Sequence, residues 1–434
     1  MPKLRAFALT NFRSYKQATL HLGTLTLLVG ANASGKSNLI EGLQMLSWLA
    51  HGQRLEDVFR AVQDGELSIR GLPTHLARDG EASFSFSCRI VAMRWSELAV
   101  TIKSNGSGLR ITNERVTEPR GKMPLYEVMK GTKHTGHDLK VAYNNFSKGG
   151  KKPLIACTDD QAIFTQLLTP ARFDASHKKT QIRIPFACRM FMRSLRQILF
   201  LDPVPQRMRN TSFADDKQLR GDGSNLSSAL FSLAGNKQSE AALLDFIKDL
   251  PEQHITGLDF LHGPRNDVLV QLEETFGAVK KLRDATLLSD GTLRVLAVAA
   301  ALLSAPEYST VVMEEVDNGI HPSRAHALLA NVQKIAEKRK LAVLITSHNP
   351  ALLDALPEKA VPDVVFCYRN PEEGDSRLIR LEELPNYPEL VARGPLGRLV
   401  TQGVLDRMVK QAQTDEERRA AGLRYVAELK KAQP

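Results

Sequence analysis

The chain has 434 residues, 58 Lys+Arg against 48 Asp+Glu (formal net charge +10), and apolar and charged fractions of 43% and 24%. That balance excludes a largely disordered or collagen-like chain, and at roughly 100–200 residues per domain the length predicts two or three domains, or one with a large insertion. Cys88, Cys157, Cys188 and Cys367 lie far apart with no CxxC pair, which argues against a zinc site or disulfide framework and predicts a reducing cytoplasm. The longest apolar run, Val295 to Leu303, is nine residues, short of the roughly 20 that a membrane span needs. No signal-peptide pattern is expected, because Arg5 and Asn11 interrupt the N-terminal stretch.

In chain order, KLRAFALTNF, ATLHL and TLTLLVG predict strands and a turn over residues 3–29. A Gly-rich loop and a helix over Lys36–Ala50 follow. Residues 81–116 alternate apolar and polar positions (FSFSCRIV, ELAVTI, GLRIT), which predicts an antiparallel meander. Residues 117–152 are Gly- and Lys-rich and read as a long loop or irregular subdomain. Helical spacing returns from Ala162 to Phe200, with Phe191, Leu195, Ile198 and Leu199 as its apolar set, until Pro203 and Pro205 break it. Two short helices are expected within 224–250. Beyond them VLVQL, a helix over Leu293–Leu303, TVVMEEV, a helix over Pro322–Lys338 and LAVLITS alternate, which predicts a parallel sheet covered by helices. The last forty-odd residues read as helical and charged.

The charge is uneven. Residues 103–152 hold eleven Lys/Arg against four Asp/Glu, and residues 172–209 hold nine against two, so the remainder is net acidic. Such runs are either a solvated basic face or a surface that tracks the phosphates of nucleic acid.

GANASGKS, Gly30 to Ser37, fits G-x-x-x-x-G-K-[ST] between an apolar strand and an amphipathic helix. Gly30 and Gly35 are expected to let backbone N–H groups wrap the phosphates. Lys36 brings a positive charge to the β/γ oxygens, Ser37 offers a hydroxyl to Mg²⁺, and the helix start adds partial positive charge. Asn32, Ser34 and Asn38 complete the ATP-binding set. Farther on, an apolar run from Val311 ends in Glu314 and Glu315; the first acid is placed to approach the Mg²⁺ shell and the second to polarise water. LAVLITSHNP ends at Ser347–His348. A lone His is often a packed structural residue, but just past a strand end in this order it is expected to touch the γ-phosphate. Ser289, Asp290, Gly291 and Thr292 precede a long apolar helix and read as a helix cap that is also an anion site. A chain that already has one phosphate cradle would use a second one for nucleotide held by another subunit.

These elements, in this order, resemble the ABC-type ATPase heads of the RecF/SMC group. LSDGT looks like the signature motif, EEVDNGIHP like the Walker B segment with its D-loop, and TSHNP like the switch-His loop. NFRSYKQATLHLG, DGSNLSSAL and RLVTQGVLDRM add likeness to the compact bacterial AAA-type ATPases of this group, such as those of two-component anti-phage defence systems. Residues 1–50 and 255–355 carry the resemblance; Glu314 and Val316 stand where Asp and Pro are usual, which bears on hydrolysis rate more than on binding. The resemblance implies an α/β P-loop NTPase head of ABC type, with a mixed sheet, an antiparallel β lobe and a helical, basic insertion. It divides the chain into residues 1–116 (P-loop lobe), 117–254 (basic insertion), 255–370 (signature, Walker B and His loop) and 371–434 (helical tail).

It further implies ATP and Mg²⁺ as ligands, with Lys36, Ser37 and Glu314 at phosphate and metal, Glu315 as general base and His348 as γ-phosphate sensor. Ser289 and Gly291 would contact nucleotide in trans across a homodimer or higher oligomer. Arg13 and Ser14 would lie near base or ribose, and Gln161 is the candidate for the family's metal-linked glutamine. Only 259 positions separate Gly30 from Ser289, too few for an SMC coiled coil. The 86 residues after His348 hold no D-x-D, so no appended OLD-type nuclease is expected, and the LSGGQ of transporter subunits is absent. Three readings follow: a switch controlling a separate nuclease or toxin effector, a RecF-like factor binding DNA through 103–152 and 172–209, and a nucleotide-stabilised scaffold with little hydrolysis.

Overall fold

The computed structural model describes residues 2–64, 69–91, 94–105, 108–121, 123–129, 138–248, 254–276, 279–316, 322–384, 387 and 394–411. Its centre is a six-stranded sheet in the order β10 (Ile198–Leu201), β15 (Thr310–Met313), β16 (Ala342–Ser347), β3 (Leu25–Val29), β17 (Val364–Arg369), β18 (Ser376–Arg380). All neighbours are parallel except the β17–β18 hairpin. Alternation along each strand divides its residues between two cores. Leu28, Val312, Leu344 and Val365 face one core, while Leu27, Val29, Val311, Met313, Val343, Ile345 and Phe366 face the other. A sheet buried on both faces requires continuous apolar strands, and TVVM is fully buried.

The first core joins this sheet to an antiparallel one, ordered β2 (Tyr15–His21), β1 (Leu4–Phe12), β4 (Ser83–Ile90), β5 (Glu97–Asn105), β6 (Gly108–Thr117), β7 (Tyr126–Val128), β8 (Asp138–Tyr143), β9 (Leu154–Thr158). Between the two layers run α1 (Lys36–Ala50), followed by the short α2 (Val58–Gln63), and α3 (Ile163–Gln166) with α4 (Lys178–Arg196). The expected meander therefore continues beyond residue 117. Part of the stretch read as a loop forms β7 and β8, whose alternating Tyr126, Val128, Leu139 and Val141 are buried; intervening Gly and Lys hid that periodicity. Buried Glu114 closes this lobe. Its carboxylate accepts from Tyr126 Oη and from the Ile163 and Phe164 N–H groups, each at 2.7 Å, against a burial that pushes it up to about 7.

The second core holds α5 (Pro205–Met208), α6 (Leu226–Ala234), α7 (Lys237–Lys248), α8 (Asp290–Ser304), α9 (Pro322–Arg339) and α10 (Pro350–Asp354). A third sheet flanks it, with β13 (Asp267–Phe276) between β12 (His254–His262) on one side and β11 (Ser212–Phe213) and β14 (Val279–Asp284) on the other. Two helices, α11 (Leu396–Thr401) and α12 (Val404–Gln411), end the described chain.

Three readings are corrected. Ile198 and Leu199 are not the end of a helix but the edge strand β10, since α4 stops at Arg196 and the chain re-enters the sheet beside β15. VLVQL belongs to the antiparallel third sheet rather than the parallel one, because its flanking segments pair with it as hairpins. Residues 376–380, inside the stretch read as helical tail, form β18. Asp317 to His321 of the D-loop segment, and the tail from residue 412, lie outside the described residues. No helix among those described is long and apolar enough to cross a membrane.

Candidate nucleotide-binding and hydrolysis site

Three neighbouring strands deliver the motifs to one edge. In the β16–β3 register Ser347 lies opposite Val29, so His348 follows beside Gly30. In the β17–β3 register Phe366 lies opposite Val29, so Cys367 flanks Gly30 on the other side. The two loop glycines are required for different reasons. Gly35 has φ +119°, a conformation side chains rarely adopt. Gly30 has no such φ; a Cβ there would lie 2.2 Å from the Cys367 carbonyl oxygen. Ala33 also takes a left-handed conformation within the loop, at φ 63°.

The loop is braced from behind by residues that no motif flagged. Tyr15 Oη donates to the Gly35 carbonyl at 3.1 Å and lies 3.1 Å from Cys367 Sγ. The Cys367 thiol reaches the Ser34 carbonyl at 3.4 Å. Ser376 Oγ lies 2.5 Å from that carbonyl and 2.7 Å from Ser14 Oγ. Burial pushes both the Tyr15 hydroxyl and the Cys367 thiol upward, so both stay protonated and can donate. Ser34 Oγ is buried with no hydrogen-bond partner among the described residues, an orphaned donor of the kind a bound anion would satisfy. Lys36 Nζ donates to the Gly30 and Ala31 carbonyls at 2.6 and 3.1 Å. Burial lowers its ammonium, while Cys367 and Glu315 pull the other way. Ser37 and Asn32 are exposed.

Arg13 and Ser14 serve the start of α1. Arg13 donates to Glu41 Oε2 at 3.0 Å, to the Arg70 carbonyl, and to the His75 carbonyl at 3.1 Å. Asn38 Nδ2 donates to Ser14 Oγ at 2.8 Å. Arg70, missed in the sequence, bonds Glu41 Oε1 at 2.5 Å and Asn38 Oδ1 at 3.2 Å while its side chain stays 68% exposed. Its charge acts on Glu314, so it stands at the phosphate end of α1.

Glu314 and Glu315 leave β15 in opposite senses. The Glu314 N–H continues the ladder to Leu201 of β10 at 2.9 Å, and the Glu315 N–H turns to Thr346 of β16 at 3.2 Å with φ 46°. A non-glycine residue held there marks a position fixed by its surroundings. Burial, with Asp202, Glu315 and Glu41 nearby, pushes the Glu314 carboxyl up to about 7. Glu315 Oε1 lies 3.5 Å from His348 Nδ1, with both side chains nearly half exposed.

Gln161 is corrected. Its amide donates to the Gly52 carbonyl at 3.1 Å, beyond the C-terminal end of α1, about 22 Å along the helix from Ser37. The side chain beside Glu314 is Asp202, which directly follows β10. The register pairs Leu201 with Met313, so Asp202 comes level with Glu314. Burial raises its carboxyl, with Glu315 adding and Arg294 opposing. Its sequence context, LDP, carries no local signal, because its place depends on β10 pairing with β15.

Ser289 caps α8 by accepting from the Thr292 N–H at 3.2 Å, and Gly291 is buried behind it. Arg209, on the segment that leaves β10, donates to Asp290 Oδ1 at 2.7 Å and to the Leu288 carbonyl at 2.9 Å. The signature is thus tied through Arg209 to the segment that follows β10 and α5.

Strand order, phosphate loop and an acid-ended strand two positions from β3 together define an ABC/AAA-type ATPase head of the RecF/SMC-like group. A family model described as "AAA domain, putative AbiEii toxin, Type IV TA system" matches residues 127–354, more than half of the chain, and the chain belongs to that family. A second model, an AAA ATPase domain, matches residues 3–68. The DNA replication and repair protein RecF of Gloeobacter violaceus is 46% identical over 69 residues, 16% of either protein. That of Clostridioides difficile is 47% identical over 47 residues, 11% of this chain and 13% of the relative. The chain spans about a sixth or less of the length of the curated relatives it matches. A Pyrococcus furiosus Smc head, solved with an extended coiled coil and the C-terminal domain of ScpA, aligns at 11% identity and TM-score 0.49, covering 90% of this chain and 100% of that one.

Proposed function

We propose that this chain is an ATP-hydrolysing molecular switch whose heads pair around ATP and control a separate effector, a nuclease or toxin, in anti-phage defence or genome maintenance. The carrying observation is the gathering of the phosphate loop, Glu314, Glu315 and His348 at the C-terminal ends of neighbouring strands, with the Ser289-capped start of α8 as a second anion site held by Arg209. A second copy could supply Ser289 and Gly291 to nucleotide held by the first. The family's description, which names a putative toxin of a toxin–antitoxin system, supports a role in such a system, and a cytoplasmic location is part of the same proposal.

In this reading Lys36 gives up the Gly30 and Ala31 carbonyls for phosphate oxygens, and Ser34 Oγ and the loop N–H groups complete the cradle. A bound Mg²⁺ would add Lewis-acid polarisation of those oxygens. Ser37 and Glu314 fit it, with Asp202 alongside, because Mg²⁺ is commonly held by one or two carboxylates together with substrate phosphates. Glu315 accepts the proton of the attacking water. His348, with Nδ1 toward Glu315, presents Nε2 to the γ-phosphate. Arg70 meets the polyphosphate from the start of α1. Wild-type protein should hydrolyse ATP and sediment as a dimer with ATP present, and Lys36→Ala should do neither; a Lys36→Ala chain that still dimerises on ATP would overturn the reading.

A second reading, direct nucleic-acid binding, is favoured by the convergence of the two basic stretches. Thr180 Oγ1 donates to the Asn144 carbonyl at 2.8 Å, and the Arg183 guanidinium lies 4.9 Å from the Phe146 ring and 5.6 Å from Trp95. α4 carries six Lys/Arg and no acid, with Ile182 and Phe186 exposed. Duplex DNA titrated at two salt concentrations should show a steep salt slope that Lys179→Glu/Arg183→Glu flattens by about two ion equivalents; an unchanged slope removes this surface as the contact.

A further inference from the structure

The C-terminal helices are fastened to the loop that carries His348. α10 begins directly after His348–Asn349, and Asn349 caps it by accepting from the Ala351 N–H at 3.0 Å. The Asn349 N–H in turn reaches Ser347 Oγ at 2.9 Å. α11 meets α10 backbone to backbone: a Cβ on Gly397 would lie 2.1 Å from the Pro350 carbonyl oxygen. The Gly397 N–H donates to Asp354 Oδ1 at 2.6 Å. Leu396, Leu399 and Leu405 are buried in the same core as Leu352, Leu353, Val29 and Phe366. Val400 and Leu405 also wall a cavity of about 360 Å³ whose opposite side is Gly30–Asn32 and His348.

A five-residue helix has little stability of its own, so the elements packed on α10 fix its position and, through it, the position of His348. Close-packed contacts of this kind transmit displacement rather than absorb it. We infer that the helix pair 396–411 is a positioning element for His348. Through α10 it couples γ-phosphate contact at that residue to the placement of residues 396–411. Linkage makes the coupling reciprocal: a partner that shifts these helices also biases the His348 loop. The inference rests on His348 being the γ-phosphate sensor proposed above.

Two variants separate docking from folding. Gly397→Ala forces the two backbones apart, while Asp354→Ala removes only the acceptor, from an exposed side chain. Both should lower kcat for ATP roughly 10- to 100-fold with KM changed by no more than about twofold. Asp354→Asn, which keeps Oδ1, should restore most of the rate. Hydrogen exchange over 396–405 should slow when ATP is added to the wild-type chain and be indifferent to ATP in Gly397→Ala. His348→Ala is run alongside. If it slows hydrolysis while both tail variants turn over normally and the exchange ignores ATP, the coupling is overturned. If His348→Ala itself hydrolyses ATP at the wild-type rate, the sensor reading fails first and the coupling falls with it.

Discussion

A Glu315→Gln chain should bind ATP with near wild-type affinity, stop turning it over, and accumulate as the ATP-bound dimer. The amide matches the carboxylate in size but cannot take a proton. A positioned general base contributes roughly 10²- to 10⁴-fold, about 3–5 kcal/mol of barrier, so a loss of that size in kcat is expected. The backbone conformation should survive, because the φ of 46° at residue 315 is held by the Thr346 carbonyl rather than by the side chain. Single-turnover hydrolysis with ATP in sedimentation runs measures both halves of the expectation. A kcat within threefold of wild type would remove Glu315 as the base. It would leave the scaffold reading, in which nucleotide is held and scarcely hydrolysed, as the better description. Glu314→Gln should behave differently: it sits in the more buried position beside Asp202, and its loss should raise the Mg²⁺ concentration needed for half-maximal rate rather than trap a dimer.

The motifs that recur as contiguous strings were legible because local physics fixes them. A loop that must wrap phosphate needs its glycines, lysine and hydroxyl in one run, and a strand buried on both faces announces itself as TVVM or LAVLITS. The parts of the site that depend on strand order were not legible. Asp202 becomes a neighbour of Glu314 only because β10 pairs with β15 across more than a hundred residues. Ser376 and Cys367 brace the phosphate loop only because β17 and β18 lie beyond β3. Ile198 and Leu199 fit a helical face as well as a strand, since a four-residue apolar run satisfies both periods. Gln161 matches the expected residue type alone, and the hydrogen bond to Gly52 takes it to the opposite end of α1 from Ser37. Gly30 illustrates a subtler limit: the residue is required, but by a carbonyl from β17 that no local pattern contains.

Mixing two inactive variants should restore activity if nucleotide is shared between copies. A Lys36→Ala subunit lacks the phosphate-binding lysine but keeps Ser289, and a Ser289→Arg subunit keeps Lys36 but presents a bulky cation where the signature hydroxyl would be. Each alone should form no working site. In a mixed dimer one site combines both defects and the other combines Lys36 of one copy with Ser289 of its partner. Random pairing would make about half of the dimers mixed, each with one intact site of two, and the poor pairing of Lys36→Ala with itself enriches them further, so the mixture should recover at least about a quarter of wild-type turnover. The Ser289 change also costs its cap on α8, about 1 kcal/mol, which a sequence with so extensively buried a helix should tolerate; a thermal melt checks that the variant is folded. If Ser289 acted only within its own chain, or served only as a helix cap, no mixture would exceed the sum of the two parents. Recovery is the expected result, because each chain carries one phosphate loop and one separate helix-capping anion site.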